Sequence, residues 1–133
     1  MLLQVKDLSV HFSARAHGAG RGASSTVRAV DGVSLTVGVN ETLGLVGESG
    51  CGKSTLARAV IRLLALTAGQ VVFDGREITT LSESELKALR ANFQMVFQDP
   101  SSSLNPRMTI AEVLAEPMKI AGWEAARIQD RTG

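Results

Sequence analysis

The sequence predicts an α/β fold in which an antiparallel, β-rich N-terminal region leads into one strand–loop–helix unit, with further helices behind it. Three observations carry this. Short apolar–polar alternations separated by Gly- and Asp-containing turns fill the first forty positions. The stretch Gly47-Glu48-Ser49-Gly50-Cys51-Gly52-Lys53-Ser54-Thr55 fits the spacing G-x-x-x-x-G-K-[ST] at every fixed position, between an apolar run and a helical pattern. Two capping boxes, Ser82 with Glu85 and Thr109 with Glu112, open helices in the second half.

In chain order, Val5, Leu8, Val10 and Phe12 suggest an opening strand with one buried face. Residues 13–26 hold Gly18, Gly20 and Gly22 and no large apolar side chain, and read as a loop. Val27 to Val30 resumes a strand, Asp31-Gly32 is a turn signal, and Val33 to Val37 alternates as the next strand. After a turn at residues 38–40, the run 41–46 reads as a buried strand feeding the glycine-rich loop. Residues 56–64 read as a helix that ends near Ala68-Gly69. Residues 70–73 form a strand, Asp74-Gly75 a tight turn, and Ile78 to Leu81 continue beyond it. A helix follows from about Glu83 to Ala91, then an apolar strand over 93–97, then a loop over 98–103. The helix opened at Thr109 is ended or kinked by Pro117, and residues 124–133 are polar with no closing strand.

The chemistry sits in the loop at 47–55. Gly47, Gly50 and Gly52 let the backbone take conformations a side chain forbids and approach a ligand closely. Its N–H groups form an anion-binding nest, and the N-terminus of the next helix adds partial positive charge. Lys53 reaches outer phosphates, and the Ser54 hydroxyl suits a magnesium ion. Cys51 reads as a small residue that contributes only its backbone N–H.

With 133 residues the chain is the size of one small domain and is long enough for a real core. A net charge of +1 gives no basic surface for nucleic acid. One cysteine excludes an internal disulfide and suits a reducing cytosol. The sequence has no run long enough to span a bilayer and no signal peptide at Met1 to Lys6, so membrane work needs a partner.

Three segments together resemble the ATP-binding-cassette (ABC) transporter ATPases. They are Val30-Asp31-Gly32-Val33-Ser34-Leu35, the phosphate loop, and Met95-Val96-Phe97-Gln98-Asp99-Pro100. The run Ser103-Leu104-Asn105-Pro106-Arg107, with Glu116-Pro117, is most similar to the oligopeptide/dipeptide importer subfamily. The resemblance covers residues 1 to about 120 and implies a P-loop NTPase-type core. It implies a partial nucleotide-binding domain, with 1–98 as β subdomain and phosphate-loop core and 99–133 as the start of a helical subdomain. The implied cofactors are ATP and Mg2+. Lys53 and the amides of 47–55 would hold the phosphates, with Thr55 in support. Ser54 and Gln98 would meet the metal, and Lys53 and Gln98 would act in catalysis. Phe12 falls where the family stacks an aromatic on adenine, which its flat ring suits; a strand-core role for Phe12 stays equally open.

The resemblance also implies partners: permease subunits and a second ATPase subunit on the cytoplasmic face of a membrane. Departures stand beside it. No L-S-G-G-Q-type signature, no acidic residue closing a second apolar strand and no switch histidine are present, since His11 and His17 come too early. The chain is therefore expected to be an N-terminal fragment with negligible ATPase activity of its own. Two alternatives remain: a different phosphate-loop enzyme such as a small kinase, and a non-catalytic truncated product.

Overall fold

The computed structural model describes residues 1–15, 24–98 and 104–132. It comprises two units, Met1–Gln94 and Met95–Gly133. The first is built on a four-stranded antiparallel sheet in the order β2-β1-β3-β4, with β1 at Leu3–Arg15, β2 at Ser24–Val37, β3 at Ala68–Phe73 and β4 at Arg76–Glu77. Helix α1, Lys53–Val60, and helix α2, Glu83–Leu89, complete its core.

The opening strand shows how the apolar pattern works. Val5 and Leu8 are both buried although three residues apart. A period of two would send them to opposite faces. A bulge resolves the conflict: Asp7 takes φ 47°, and the pairing slips between Val5↔Leu35 and Leu8↔Val33. Leu8 and Val10 then join Val30, Val71, Ile78, and Leu56 and Ala59 of α1 in the core, with Leu86 from α2. Gly69 of β3 lies under the bulge with φ 98°, and a Cβ there would stand 2.5 Å from Leu8 Cα. The site therefore needs glycine.

Several expectations change. Residues 13–15 and 24–26 are strand, in register as Ser13↔Thr26, Ala14↔Ser25 and Arg15↔Ser24. Ser13, Ser25 and Thr26 are exposed, so these polar residues are solvated strand rather than loop; the glycines at 18, 20 and 22 lie outside the described residues. Asp31-Gly32 is a bulge inside one long strand, between Leu8↔Val33 and Val10↔Val30, and not a turn between two strands. The runs 41–46 and 93–97 form no strand, and Leu43, Leu45, Val46, Val96 and Phe97 are exposed. A strand exists only with a hydrogen-bonding neighbour, and the sheet order supplies none to either run. Phe93 instead packs edge-on against Phe73, with centroids 5.3 Å apart.

Helix α1 stops at Val60, well short of Ala68. Arg62 takes φ 58°, its N–H donates to the Ala59 carbonyl at 2.9 Å, and the Leu63 N–H donates to that of Arg58 at 2.8 Å. This is a Schellman end with arginine where glycine is usual. Asp74 and Gly75, at φ 48° and 76°, form the expected tight turn, but β4 covers Arg76–Glu77 and residues 78–81 are not strand. Helix α2 passes into a 3-10 turn at Arg90–Asn92.

In the second unit, Gln98 sits at a bend, and the rest of the expected 98–103 loop lies outside the described residues. Helix α3, Ile110–Ile120, runs through Pro117. Its end is secured by Gly122 at φ 77° and a 3.0 Å bond from the Trp123 N–H to the Met118 carbonyl. Helix α4, Ala125–Thr132, occupies part of the stretch that sequence left unassigned. Ile128 of α4 and Ala115 of α3 are the buried residues of the pair.

Candidate phosphate-binding site

The loop at 47–55 is anchored to the first unit where it enters α1. Gly52 caps α1 with φ 96°, and any Cβ there would collide with the Ala29 carbonyl of β2. The loop can therefore lie flat against β2 only with glycine at this position. At the other end of the anchor, Leu56 is buried and its N–H donates to the Gly52 carbonyl at 2.8 Å.

Lys53 opens α1 but its side chain folds back into the loop. Its Nζ donates to the Gly47 carbonyl at 2.7 Å, to the Glu48 carbonyl at 2.6 Å and to Cys51 Sγ at 3.4 Å. The Cys51 N–H closes the turn onto the Glu48 carbonyl at 3.3 Å. So the loop is wrapped around an ammonium group. Ser49 and Gly50 form the turn at its tip, Ser54 is exposed and Thr55 half-buried. No acidic residue lies in the first turn of α1, so nothing there offsets the positive end of the helix. Between loop and β2 is a cleft of about 240 Å³, lined among others by Asp31, Val33, Leu45, Cys51, Gly52 and Lys53.

Phe12 does not belong to the core: it is 43% exposed, opposite the equally open Val27. Of its two readings, the core one is thereby removed. Gln98 is exposed and belongs to the second unit, whereas Phe12 and residues 47–55 belong to the first.

One cluster was missed by sequence reasoning. Asp31 served as a turn signal and as part of the resemblance at 30–35, yet it also receives two hydrogen bonds. His11 Nε2 lies 3.1 Å from Oδ1 and, facing a carboxylate, must carry the proton; Arg28 Nη1 donates to Oδ2 at 3.2 Å. These bonds, His11 first and Arg28 second, hold the Asp31 carboxyl below the usual carboxylate range. The Arg28–Asp31 spacing was the available signal, but it reads as a pair only if the strand bulges between them.

Comparison with known proteins places this geometry. The ABC transporter model matches residues 30–133. The oligopeptide transport ATP-binding protein OppF of Escherichia coli is 49% identical over 123 residues, covering 90% of this chain and 36% of OppF. OppF of Salmonella typhimurium is 47% identical over 125 residues, with 90% and 36% covered. The chain thus spans roughly a third of the length of the curated relatives it matches. A bacterial ABC transporter cassette solved as a dimer superposes with a TM-score of 0.74 at 22% identity, covering 98% of this chain and 53% of that one. A dimeric post-hydrolysis cassette bound to ADP and Pi gives 0.75 at 21%, covering 98% and 54%. The expected fold is that of these cassettes. With its glycine-rich loop and a family match running from Val30 to the last residue, the chain belongs to the ABC transporter family.

Proposed function

We propose that this chain is the nucleotide-cradling part of the ATP-hydrolysing subunit of a peptide importer. The observation that carries the reading is the loop at 47–55, closed on the Lys53 ammonium and seated on β2 through Gly52. The likeness to oligopeptide transport ATP-binding proteins supports peptides as the transported class. Permease subunits and a second ATPase subunit are its partners in a complete transporter, at the cytoplasmic face of the membrane. Among the described residues no helix is long and apolar enough to cross a membrane. Residues 1–98 act as β subdomain and phosphate-loop core, and 99–133 begin the helical subdomain.

Lys53 exchanges two neutral carbonyl partners for the β and γ phosphate oxygens of ATP. The ammonium keeps its charged hydrogen bonds and gains Coulomb attraction to anionic oxygens, so the exchange favours binding. The amides of Gly47, Glu48, Ser49, Gly50 and Gly52 and the first N–H groups of α1 take the remaining phosphate oxygens, joined by the Cys51 N–H once it leaves the Glu48 carbonyl, with Thr55 in support. Phe12 stacks on adenine, for which its exposed ring is available. The residues fit magnesium. Ser54 offers one exposed hydroxyl, and the family resemblance is what adds the Gln98 amide oxygen. Among the described residues no cluster of three acidic, His or Cys side chains could form a protein cage. Magnesium is suited to one or two protein oxygens plus phosphates and water. When bound, the ion would neutralise charge developing on the phosphates. Gln98, able to donate and accept, orients the attacking water.

Lys53→Ala tests the reading. Removing charge only at the phosphates should lower affinity for ATP and leave that for adenosine unchanged in parallel titrations. Equal losses for both ligands would contradict the assignment.

A further inference from the structure

Phe12 stands on a two-stranded ribbon. The last pairing of β3 with β1 is Ser9↔Ala68, so beyond it β1 has only β2 alongside. Among the residues of β1 whose burial is described, the buried ones also end at Val10. An aromatic in such a place is aimed by whatever fixes the ribbon, and the contacts that do so converge on Asp31. His11, next to Phe12, donates Nε2–H to Asp31 Oδ1 at 3.1 Å, and Arg28, paired opposite His11, donates to Oδ2 at 3.2 Å. The His11 N–H is held by Thr67 Oγ1 at 2.8 Å. Asp31 itself lies in the β2 bulge, where the Gly32 N–H donates to Ser9 Oγ at 2.9 Å. Two residues before Asp31, the Ala29 carbonyl abuts Gly52 of the phosphate loop.

We infer that Asp31 is a positioning residue for nucleotide recognition: through His11 it ties the strand bearing Phe12 to the bulge on which the phosphate loop is seated. Base platform and phosphate cradle thereby keep one fixed relation. The inference rests on the nucleotide reading above. These side-chain contacts lie near the surface and add little to folding stability. Their value lies in spanning the bulge, where ladder hydrogen bonds are interrupted.

The test compares the affinities of the full chain for Mg-ATP and magnesium tripolyphosphate by calorimetry. Asp31→Ala lowers ATP affinity about fivefold, the scale of one exposed charged pair, and leaves tripolyphosphate affinity unchanged. Asp31→Asn, which keeps one acceptor for His11, recovers part of the loss. His11→Ala, which breaks the link with Asp31 in place, shows the same ATP-selective loss. Equal loss for both ligands, or no loss for either, overturns the inference. Lys53→Ala reports separately on the underlying reading, since it must weaken both ligands. A parent chain that binds neither overturns both.

Discussion

At the scale of single residues, the proposed nucleotide site turns on Phe12 for the base and Lys53 for the phosphates. The exposed ring of Phe12 has no core duty to lose. Phe12→Ala should therefore leave the unliganded melting temperature nearly unchanged and weaken ATP binding by about 1–3 kcal/mol, the scale of base–aromatic stacking. Phe12→Trp should retain binding. Loss of thermal stability without ligand would show that the ring serves packing instead. The glycines of the loop were legible in sequence as a pattern, and one of them has a concrete reason in the structure: the Ala29 carbonyl leaves no room at Gly52. The pairing of Asp31 was not legible, because one partner lies on β1 and the other lies across a bulge within β2. A bulge leaves no residue signature distinct from a turn.

At the scale of elements, both capping boxes were read from sequence and both are present. In the second, the N–H and hydroxyl of Thr109 donate to Glu112 at 2.7 and 2.9 Å, and the Glu112 N–H donates to Thr109 Oγ1 at 3.3 Å. These bonds, the backbone one first, hold the Glu112 carboxyl below its ordinary value of 4.5. A depressed folded value gives stability that is present above 4.5 and is lost as pH falls through the folded value. Glu112→Gln should thus melt lower than the parent at neutral pH, and the gap should narrow on acidification below 4.5. A gap independent of pH would contradict the charged cap.

The end of α1 was misread because Leu63 and Leu64 continue the apolar pattern and no glycine marks the stop. Arg62 takes the left-handed position instead, with its Nε buried and unpartnered. Arg62→Gly should raise stability by about 1 kcal/mol by relieving the left-handed strain, as read from chemical denaturation. A destabilised variant would mean that the stem of Arg62 contributes packing that outweighs this strain.

At the scale of the whole molecule, the antiparallel region and the loop–helix unit follow from local pattern, whereas the runs 41–46 and 93–97 do not. Their apolar residues promise burial, but burial is a property of the neighbours. Val46 and Val96 are each 94% exposed. No local signal distinguishes a strand with partners from the same residues without them. The loop at 47–55 is nevertheless anchored within the first unit, since Ala29 and Leu56 lie within residues 1–94.

The most direct test is a thermal-shift measurement on the chain with Mg-ATP. A ligand that binds only the folded state stabilises it by about 2.7 kcal/mol at one hundred times its dissociation constant. The account predicts a cooperative melt that Mg-ATP moves upward, with the shift lost in Lys53→Ala. A melt unmoved by saturating Mg-ATP, or one moved equally in Lys53→Ala, would contradict it.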